Sequence, residues 1–334
     1  MAELMTLSRY ILQRKRNFEG ATGEFTLLLS HIALAAKVVS RQVAKAGLLD
    51  VLGKTGEENI QGEEVKKLDV IANDLLKSLL NDLPMVAAIA SEEEEDMIVT
   101  EAGREVGKYL VCFDPLDGSS NIDVDITIGT IFSIRKRKTA GKAATPQDFF
   151  APGSEQVAAG YALYGSSTMF VYTTGDGVDG FTLDPSVGEF VLSHPDMRIP
   201  PGCKCLSANT NNRRNWFDGT CSFVDHVASG QDPAFQGTSA RYVGTLVADV
   251  HRNLLTGGVF LYPADKKSKN GKLRLLYEAH PLAFIVEQAG GAATDGKRRI
   301  LDIVADGLHT RVPLIIGNRE AVDLYGRFAA LEGG

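Results

Sequence analysis

Tyr109-Leu110-Val111-Cys112-Phe113-Asp114-Pro115-Leu116-Asp117-Gly118-Ser119-Ser120-Asn121 is the stretch from which the rest of the chain can be read. Its first five residues are an apolar run that predicts a buried strand. Two carboxylates three residues apart follow at once, in what reads as a turn shaped by Pro115 and Gly118. Carboxylates that converge with a backbone carbonyl make a hard-oxygen cation site suited to magnesium. The backbone N–H groups and hydroxyls of Gly118, Ser119 and Ser120 suit a phosphate. A bare Asp-x-x-Asp is more often a solvated turn, but the string over residues 114–121 is far more specific.

Two acidic features precede it. Ser91-Glu92-Glu93-Glu94-Glu95-Asp96 follows the apolar run 85–90. Neighbouring side chains on a regular strand point oppositely, so Glu92 and Glu93 share a site only where a strand ends; Glu94, Glu95 and Asp96 read as a solvated face. Asp69 lies beside the apolar face of a helix carrying Leu68, Ile71, Leu75 and Leu79. At about 4 Å and an effective dielectric near 20, two like charges repel by about 4 kcal/mol. If Asp69, Glu92, Glu93, Asp114 and Asp117 converge, either several protonate or divalent cations sit among them. Magnesium beside a phosphate site is the layout for metal-assisted phosphoryl transfer to water.

Further on, Asn270-Gly271 has the composition of a type I′ hairpin turn. If a strand follows over 273–277, period two puts Lys272, Arg274, Leu276 and Glu278 on one face. Lys and Arg there suit phosphate as a point charge and a planar fork, and Glu278 can join the acids. Without the other motifs this would read as a solvated edge strand, as Lys266, Lys267 and Lys269 still do. Arg241, Tyr242 and Tyr262 are further phosphate-contact candidates. No histidine pair has metal spacing, and none of the six histidines is given a role.

At roughly 150 residues per domain, 334 residues suggest two. Three prolines within residues 195–201 disfavour both helix and central strand and place the boundary there, giving 1–195 and 196–334. Lys and Arg total 35 against 42 Asp and Glu, a net charge of −7 that argues against nucleic acid or an anionic membrane as main partner. No stretch reaches the ~18 apolar residues of a membrane span, residues 27–39 being broken by His31 and Lys37. No secretory signal precedes Arg14-Lys15-Arg16. Cys112, Cys203, Cys205 and Cys221 have neither disulfide-scaffold nor zinc spacing and read as reduced, buried thiols of a cytoplasmic protein. Helices are expected over 28–43, stopping at Gly47, over 68–79, over 243–254, and from Pro281 to Gly290-Gly291. Strands are expected over 109–113, 126–134 with one apolar face, 258–262, 273–277 and 312–316. Mixed helices and strands in both halves mean α/β or α+β layers.

Seven motifs in order resemble the class I fructose-1,6-bisphosphatase family: Ala21-Thr22-Gly23-Glu24, Val65-Lys66-Lys67-Leu68-Asp69, Ser91-Glu92-Glu93, and residues 114–123, 158–166, 240–244 and 271–278. The acidic loop alone would indicate only the wider superfamily that includes inositol monophosphatases. The resemblance implies a layered α/β/α/β/α fold with two subdomains, a cytoplasmic homotetramer of gluconeogenesis, and hydrolysis of the 1-phosphate of fructose 1,6-bisphosphate. It implies two or more magnesium ions per subunit, with manganese as a substitute, held by Glu92, Glu93, Asp114, Asp117, Glu278 and the carbonyl of Leu116. Asp69, paired with Glu93, would help remove a proton from the attacking water. Ser119, Ser120 and Arg274 would hold the 1-phosphate, with Lys272 near the sugar. Asn209, Tyr242 and Tyr262 would meet the 6-phosphate, with Arg241 coming from a neighbouring subunit. Thr22, Gly23, Glu24, Thr26, Lys108 and Tyr109 match an allosteric AMP site, and a helix N-terminus there suits a phosphate.

The chain departs from the family pattern in places. Glu63 stands where many relatives carry Asp, Asn212 where a Tyr is expected near the 6-phosphate, and Lys136 where the AMP site has Arg. Residues 210–216 align poorly. The stretch from Ser91-Glu92 to Asp114 is one residue longer than in animal relatives, which allows a register shift among the glutamates. No cysteine-rich insertion for redox control is present. Two other readings are a phosphatase that also accepts sedoheptulose 1,7-bisphosphate and a non-catalytic sugar-phosphate sensor; the latter needs a broken acidic cluster, whereas every matched acid is intact.

Overall fold

The computed structural model describes residues 4–15, 23–46, 48, 54–58, 64–139 and 141–330. Ala21 of the first family motif, Thr22 of the expected nucleotide site, Gly47 as the expected helix stop, and Glu63 lie outside the described residues. The helices are α1 (Leu7–Lys15), α2 (Gly23–Val43), α3 (Lys67–Asn81), α4 (Asp218–Ser229), α5 (Leu246–Thr256), α6 (His280–Gln288) and α7 (Arg319–Ala330). A ribbon of β1 (Lys54–Glu58) and β2 (Glu64–Lys66) precedes α3. The strands β3 (Val86–Ser91), β4 (Ile98–Val99), β5 (Tyr109–Asp117), β6 (Ile128–Lys136), β7 (Gln156–Tyr164), β8 (Thr168–Thr173), β9 (Asp179–Asp184) and β10 (Glu189–His194) form one sheet in the order β10-β9-β8-β7-β6-β5-β3-β4. Only the β3–β5 pair in it is parallel. In the second half come β11 (Cys205–Ser207), β12 (Ser239–Ala240), β13 (Val259–Tyr262), β14 (Leu273–Arg274), β15 (Ala292–Thr294), β16 (Arg311–Val312) and β17 (Leu314–Gly317). Five of these make a sheet in the order β12-β11-β13-β17-β15, and β14 pairs with β16.

Three apolar cores stack these elements into layers. The outer core joins Leu28, Leu29 and Ile32 of α2 and Leu68, Ala72 and Leu76 of α3 to one face of the large sheet. The middle core lies between the sheets and holds α5 and α6. The third joins Phe223 of α4 and Tyr325 of α7 to the far face of the small sheet. This is the expected α/β/α/β/α order. The middle core takes Leu110 and Ile131 from the first half together with Val247 and Leu282 from the second, so the halves share one interior. Buried Arg135 of β6 adds a polar link: its guanidinium donates to His280 Nδ1 at 2.7 Å, and His280 Nε2 donates to the Ile303 carbonyl at 3.1 Å. Burial drives the His280 pKa well down, which keeps the ring neutral beside the cation.

Several expected elements differ. β6 buries both faces, Ile128, Phe132 and Ile134 in the outer core and Ile131 in the middle one, because helices cover the sheet on both sides. α5 begins at Leu246 rather than 243, since the N–H groups of Val243 and Gly244 bond Asp249 and Gly244 has φ +87°. The strand expected over 273–277 stops at Arg274 and becomes a π-helical turn, Leu275–Ala279. Its partner is β16, so Asn270-Gly271 joins no hairpin; a type I′ turn needs positive φ at both central residues, and only Gly271 has it. Pro313 splits the last expected strand into β16 and β17. α2 has the length and composition to cross a bilayer, contrary to the reading of 27–39, but buried Leu28, Leu29, Ile32, Ala33, Ala35, Ala36 and Val39 mark it as a core helix. All four cysteines are free and all but Cys221 buried.

Gly271 and Gly188 share a left-handed conformation, φ +74° and +73°. A Cβ on Gly271 would strike the backbone of Val312 and Pro313, whereas one on Gly188 meets nothing within 4 Å. Gly188→Ala is expected to cost about 1 kcal/mol and Gly271→Ala about 2 kcal/mol or more. Denaturant midpoints of the two variants check the difference; equal losses would mean the backbone contact is relieved.

Candidate active site

The site is assembled at chain ends and irregularities. β5 continues through residues 114–117 instead of turning, but Asp114 pairs with Ile131 and Asp117 with Gly129, three steps against two. In an unbroken strand residues three apart face opposite ways; the extra residue of this bulge brings Asp117 within electrostatic reach of Asp114. The Thr130 hydroxyl donates to the Pro115 carbonyl at 2.8 Å inside the bulge. Gly118, at φ +83°, then releases the chain into a 3-10 turn, Ser119–Val124, and a Cβ there would strike the Thr245 side chain. The first turn of α5 holds this loop: Val247 N donates to Asp117 Oδ2 at 2.6 Å, and Asn121 Nδ2 to Thr245 Oγ1 at 2.7 Å.

Glu92 arrives just past the end of β3, its N–H donating to the Phe113 carbonyl at 3.1 Å. Glu278 arrives from the π-helical turn, not from a strand, and accepts from Arg274 N at 2.5 Å. Carboxylate oxygens of Glu92, Asp114 and Glu278, all buried, lie within 4.8 Å of one another. Arg274 Nη1 pairs with Glu92 at 2.9 Å. Asp69 sits in the first turn of α3, accepts from Lys66 N at 3.2 Å, and hydrogen-bonds Ser119. Glu93 is half-buried beside Asp69 and Glu92. Glu94, expected in solvent, instead accepts from Asn73 at 2.8 Å and Lys77 at 2.5 Å; Glu95 and Asp96 are exposed.

Burial sets the charge state of these acids. It lifts Asp69 to about 8, helped by Glu93. It lifts Glu92 to about 8, with Glu278 adding and Arg274 opposing. Asp117 goes to about 7 against the pull of the α5 N–H groups. Asp114 is raised well above the carboxylate range by burial, Glu92 and Asp117. A set of buried, mutually repelling carboxylate oxygens is the donor set of a hard divalent cation, which removes the repulsion by its own charge. The residues present therefore fit magnesium or manganese.

Beyond the acids two adjoining hollows share Asn212, Tyr262, Pro263 and Asp265. One adds Asn209 and Tyr242; the other adds Lys272, Arg214 and Lys267. The structure thus brings together Asn209, Tyr242, Tyr262 and Lys272. Arg241 is exposed and lines neither hollow, and Ser120 is exposed at the rim of the acidic loop. Gly23, Glu24, Lys108 and Tyr109 meet elsewhere, at the start of α2: Lys108 pairs with Glu24 at 2.8 Å, and the Phe25 ring stands edge-on to Tyr109 at 6.0 Å. Thr26 lies in the same turn of α2.

Sequence reasoning missed Thr245, Val247, Asp249 and Arg214; Lys267, read as solvated, is exposed and also lines one hollow. Val247 acts through its backbone N–H and Thr245 through a hydroxyl that accepts from Asn121, neither of which a motif announces. Buried Asp249 accepts from Val243 N at 2.9 Å, Gly244 N at 3.2 Å and Arg252 at 2.6 Å, tying down the loop that carries Tyr242. A lone Asp within an apolar helix face was its only signal.

The chain matches the family descriptions "Fructose-1-6-bisphosphatase, N-terminal domain" over residues 5–195 and "Fructose-1-6-bisphosphatase, C-terminal domain" over 199–330. It is 54% identical over 329 residues to "Fructose-1,6-bisphosphatase class 1" of Maridesulfovibrio salexigens, covering 97% of each chain. It is 51% identical to the protein of that name in Chloroherpeton thalassium, covering 98% of this chain and 94% of the relative. Among solved structures it superposes on Leishmania major fructose-1,6-bisphosphatase in holo form with a TM-score of 0.92 at 41% identity, covering 98% of this chain and 99% of the other. The apo form of that enzyme gives a TM-score of 0.86 at 40% identity over 98% and 100%.

The raised acids fix the sign of a pH dependence. Their ordinary values are 3.8 for Asp and 4.5 for Glu, so in metal-free protein their stabilisation is full below about pH 4 and is lost as pH rises through about 7 to 8. Chelated protein is expected to melt at lower temperature as pH goes from 5 to 9, and added magnesium to restore the loss most at the alkaline end. Glu92→Gln should flatten the metal-free slope and lose most of the magnesium gain. Melting curves with and without the cation check this; curves insensitive to magnesium would remove the metal from the site.

Proposed function

The chain belongs to the class 1 fructose-1,6-bisphosphatase family, is a phosphoric monoester hydrolase and hydrolyses fructose 1,6-bisphosphate; we propose that it removes the 1-phosphate with magnesium ions held by Glu92, Glu93, Asp114, Asp117, Glu278 and the Leu116 carbonyl. The observation that carries this reading is the burial of Glu92, Asp114 and Glu278 around one point, with Arg274 beside them and a hollow lined by cations two residues away at Lys272. When bound, the cations supply Lewis-acid polarisation of the ester phosphate.

The protein's own groups do the rest. Arg274 offers a planar fork to the 1-phosphate, and Ser119 and Ser120 offer hydroxyls and N–H groups at the end of the bulged strand. Asp69, raised by burial and by Glu93 while the site holds no cation, would be returned to its ionised form by bound cations and is then placed to take a proton from an attacking water. Its bonds to Lys66 N and Ser119 hold the carboxylate facing the phosphate loop. Asn209, Tyr242, Tyr262 and Lys272 bind the sugar and the 6-phosphate, and exposed Arg241 reaches a neighbouring subunit of a homotetramer. Residues 1–195 carry the acidic loop and the nucleotide site and residues 196–334 the sugar site, in a cytoplasmic enzyme of gluconeogenesis. No observation favours the sensor reading.

Asp69→Asn keeps size and hydrogen-bonding while removing the base. Turnover is expected to fall about 10²- to 10⁴-fold with KM and folding retained. Phosphate release from fructose 1,6-bisphosphate, with fructose 6-phosphate and inositol monophosphate as comparison substrates and with magnesium present or chelated, tests both the reaction and the role. Near-normal turnover in the variant would end the assignment of Asp69.

The start of α2 carries a second part of the proposal, inhibition by AMP at Thr22, Gly23, Glu24, Thr26, Lys108 and Tyr109. The N-terminus of α2 favours a phosphate, and Lys108 adds a cation next to Glu24. AMP is expected to lower turnover, and Lys108→Met to demand a higher AMP concentration for the same effect. A rate unchanged at millimolar AMP would refute it.

A further inference from the structure

We propose that Arg214 and Lys267 form an anion-binding wall, supplied from within the chain, for the phosphate at the non-reacting end of the sugar bisphosphate. The inference rests on the sugar-site reading above and adds residues to it that no matched motif contains.

Two adjacent arginines close the short helix Thr210–Asn215, and they have different employment. Arg213 turns back to pair with Asp225 of α4 at 2.7 Å. Arg214 lines the hollow with Lys267, Lys272 and Tyr262, and among the described residues it has no carboxylate partner. Three cations face one carboxylate there, Asp265. That carboxylate is already engaged, its Oδ1 accepting from Lys267 N at 2.8 Å and Ser268 N at 2.7 Å. Arg214, Lys267 and Lys272 are all exposed, so the rim of the hollow carries an excess of positive charge that attracts an anion from solvent.

The wall is held in place by the backbone. Trp216 forms a β-bridge with Asp265, and Lys266 N donates to the Asn215 carbonyl at 2.9 Å. The two segments that bear Arg214 and Lys267 are thus joined to each other on either side of the cavity. The second hollow, with Asn209 and Tyr242, continues directly from it through Asn212 and Tyr262. A phosphate seated at that junction lies within reach of guanidinium and ammonium groups from one chain, without waiting for Arg241 from another.

Steady-state kinetics on the full-length protein with fructose 1,6-bisphosphate and magnesium test this in Arg214→Gln, Lys267→Gln and the double variant. Each single variant is expected to raise KM about tenfold, the scale of one charge-assisted hydrogen bond, with kcat held within about twofold. Arg214→Lys should recover part of the loss. Raising the salt should weaken binding less in the double variant than in the natural chain. Lys297→Gln, in the exposed turn after β15, supplies the background effect of losing one surface cation. Calorimetric titration with fructose 6-phosphate reads the same subsite without turnover, so a chain inactive on the bisphosphate overturns the reaction while the affinity ratio still judges the wall. If both single variants match Lys297→Gln in KM and in affinity for fructose 6-phosphate, the wall does not exist.

Discussion

Keeping several carboxylates dry and close together is the requirement to which the rest of this molecule answers. Oxygens of Glu92, Asp114 and Glu278 lie within 4.8 Å of one another, with Asp69, Glu93 and Asp117 in electrostatic range. Each like-charge pair at about 4 Å repels by about 4 kcal/mol at an effective dielectric near 20. One guanidinium, that of Arg274, offsets part of this for Glu92. Such an arrangement survives only if the backbone that carries each acid is fixed independently of it. That condition is met: the acids come from a strand end, a bulge, a helix start and a π-helical turn, each secured by its own hydrogen bonds or by one of the apolar cores.

The two halves of the chain meet at this cluster. Glu92, Asp114 and Asp117 belong to the large sheet, whereas Glu278 and Arg274 come from the segment leading into α6. Arg135 and His280 tie β6 to the start of α6 only two residues beyond Glu278. A guanidinium bonded to a neutral imidazole spans the interior without a second charge, where a carboxylate partner would have added one more acid near the site. The middle core, which takes side chains from both halves, makes the junction rigid as well as polar.

Much of this was legible in the residues. Periodicity located α2 and α3, and composition marked β5 as buried and residues 114–121 as the chemical centre. Reading failed where backbone departs from its period. Asp114 and Asp117 read as a turn because Pro115 and Gly118 flank Leu116, yet a bulge keeps the strand paired and turns the acids together. Lys272, Arg274 and Glu278 look like one strand face, but the π-helical turn delivers Glu278 by a different geometry. The right residues were found for a reason that does not hold locally. Arg214 left no signal and Asp249 only a lone acid on an apolar helix face, because their roles depend on which loops are sewn together, and alternation of polar and apolar residues carries no record of that.

The opening turn of α5 is the mount for two loops at once. It binds Asp117 and Asn121 of the acidic loop through Val247 and Thr245, and through Asp249 it binds Val243 and Gly244 beside Tyr242. A single helical turn therefore fixes the acidic loop and the loop bearing Tyr242 relative to each other, like the jaws of a caliper locked on one bar. Were the acidic loop and the Tyr242 loop to hold the two ends of one ligand, as proposed above, that turn would set the distance between them.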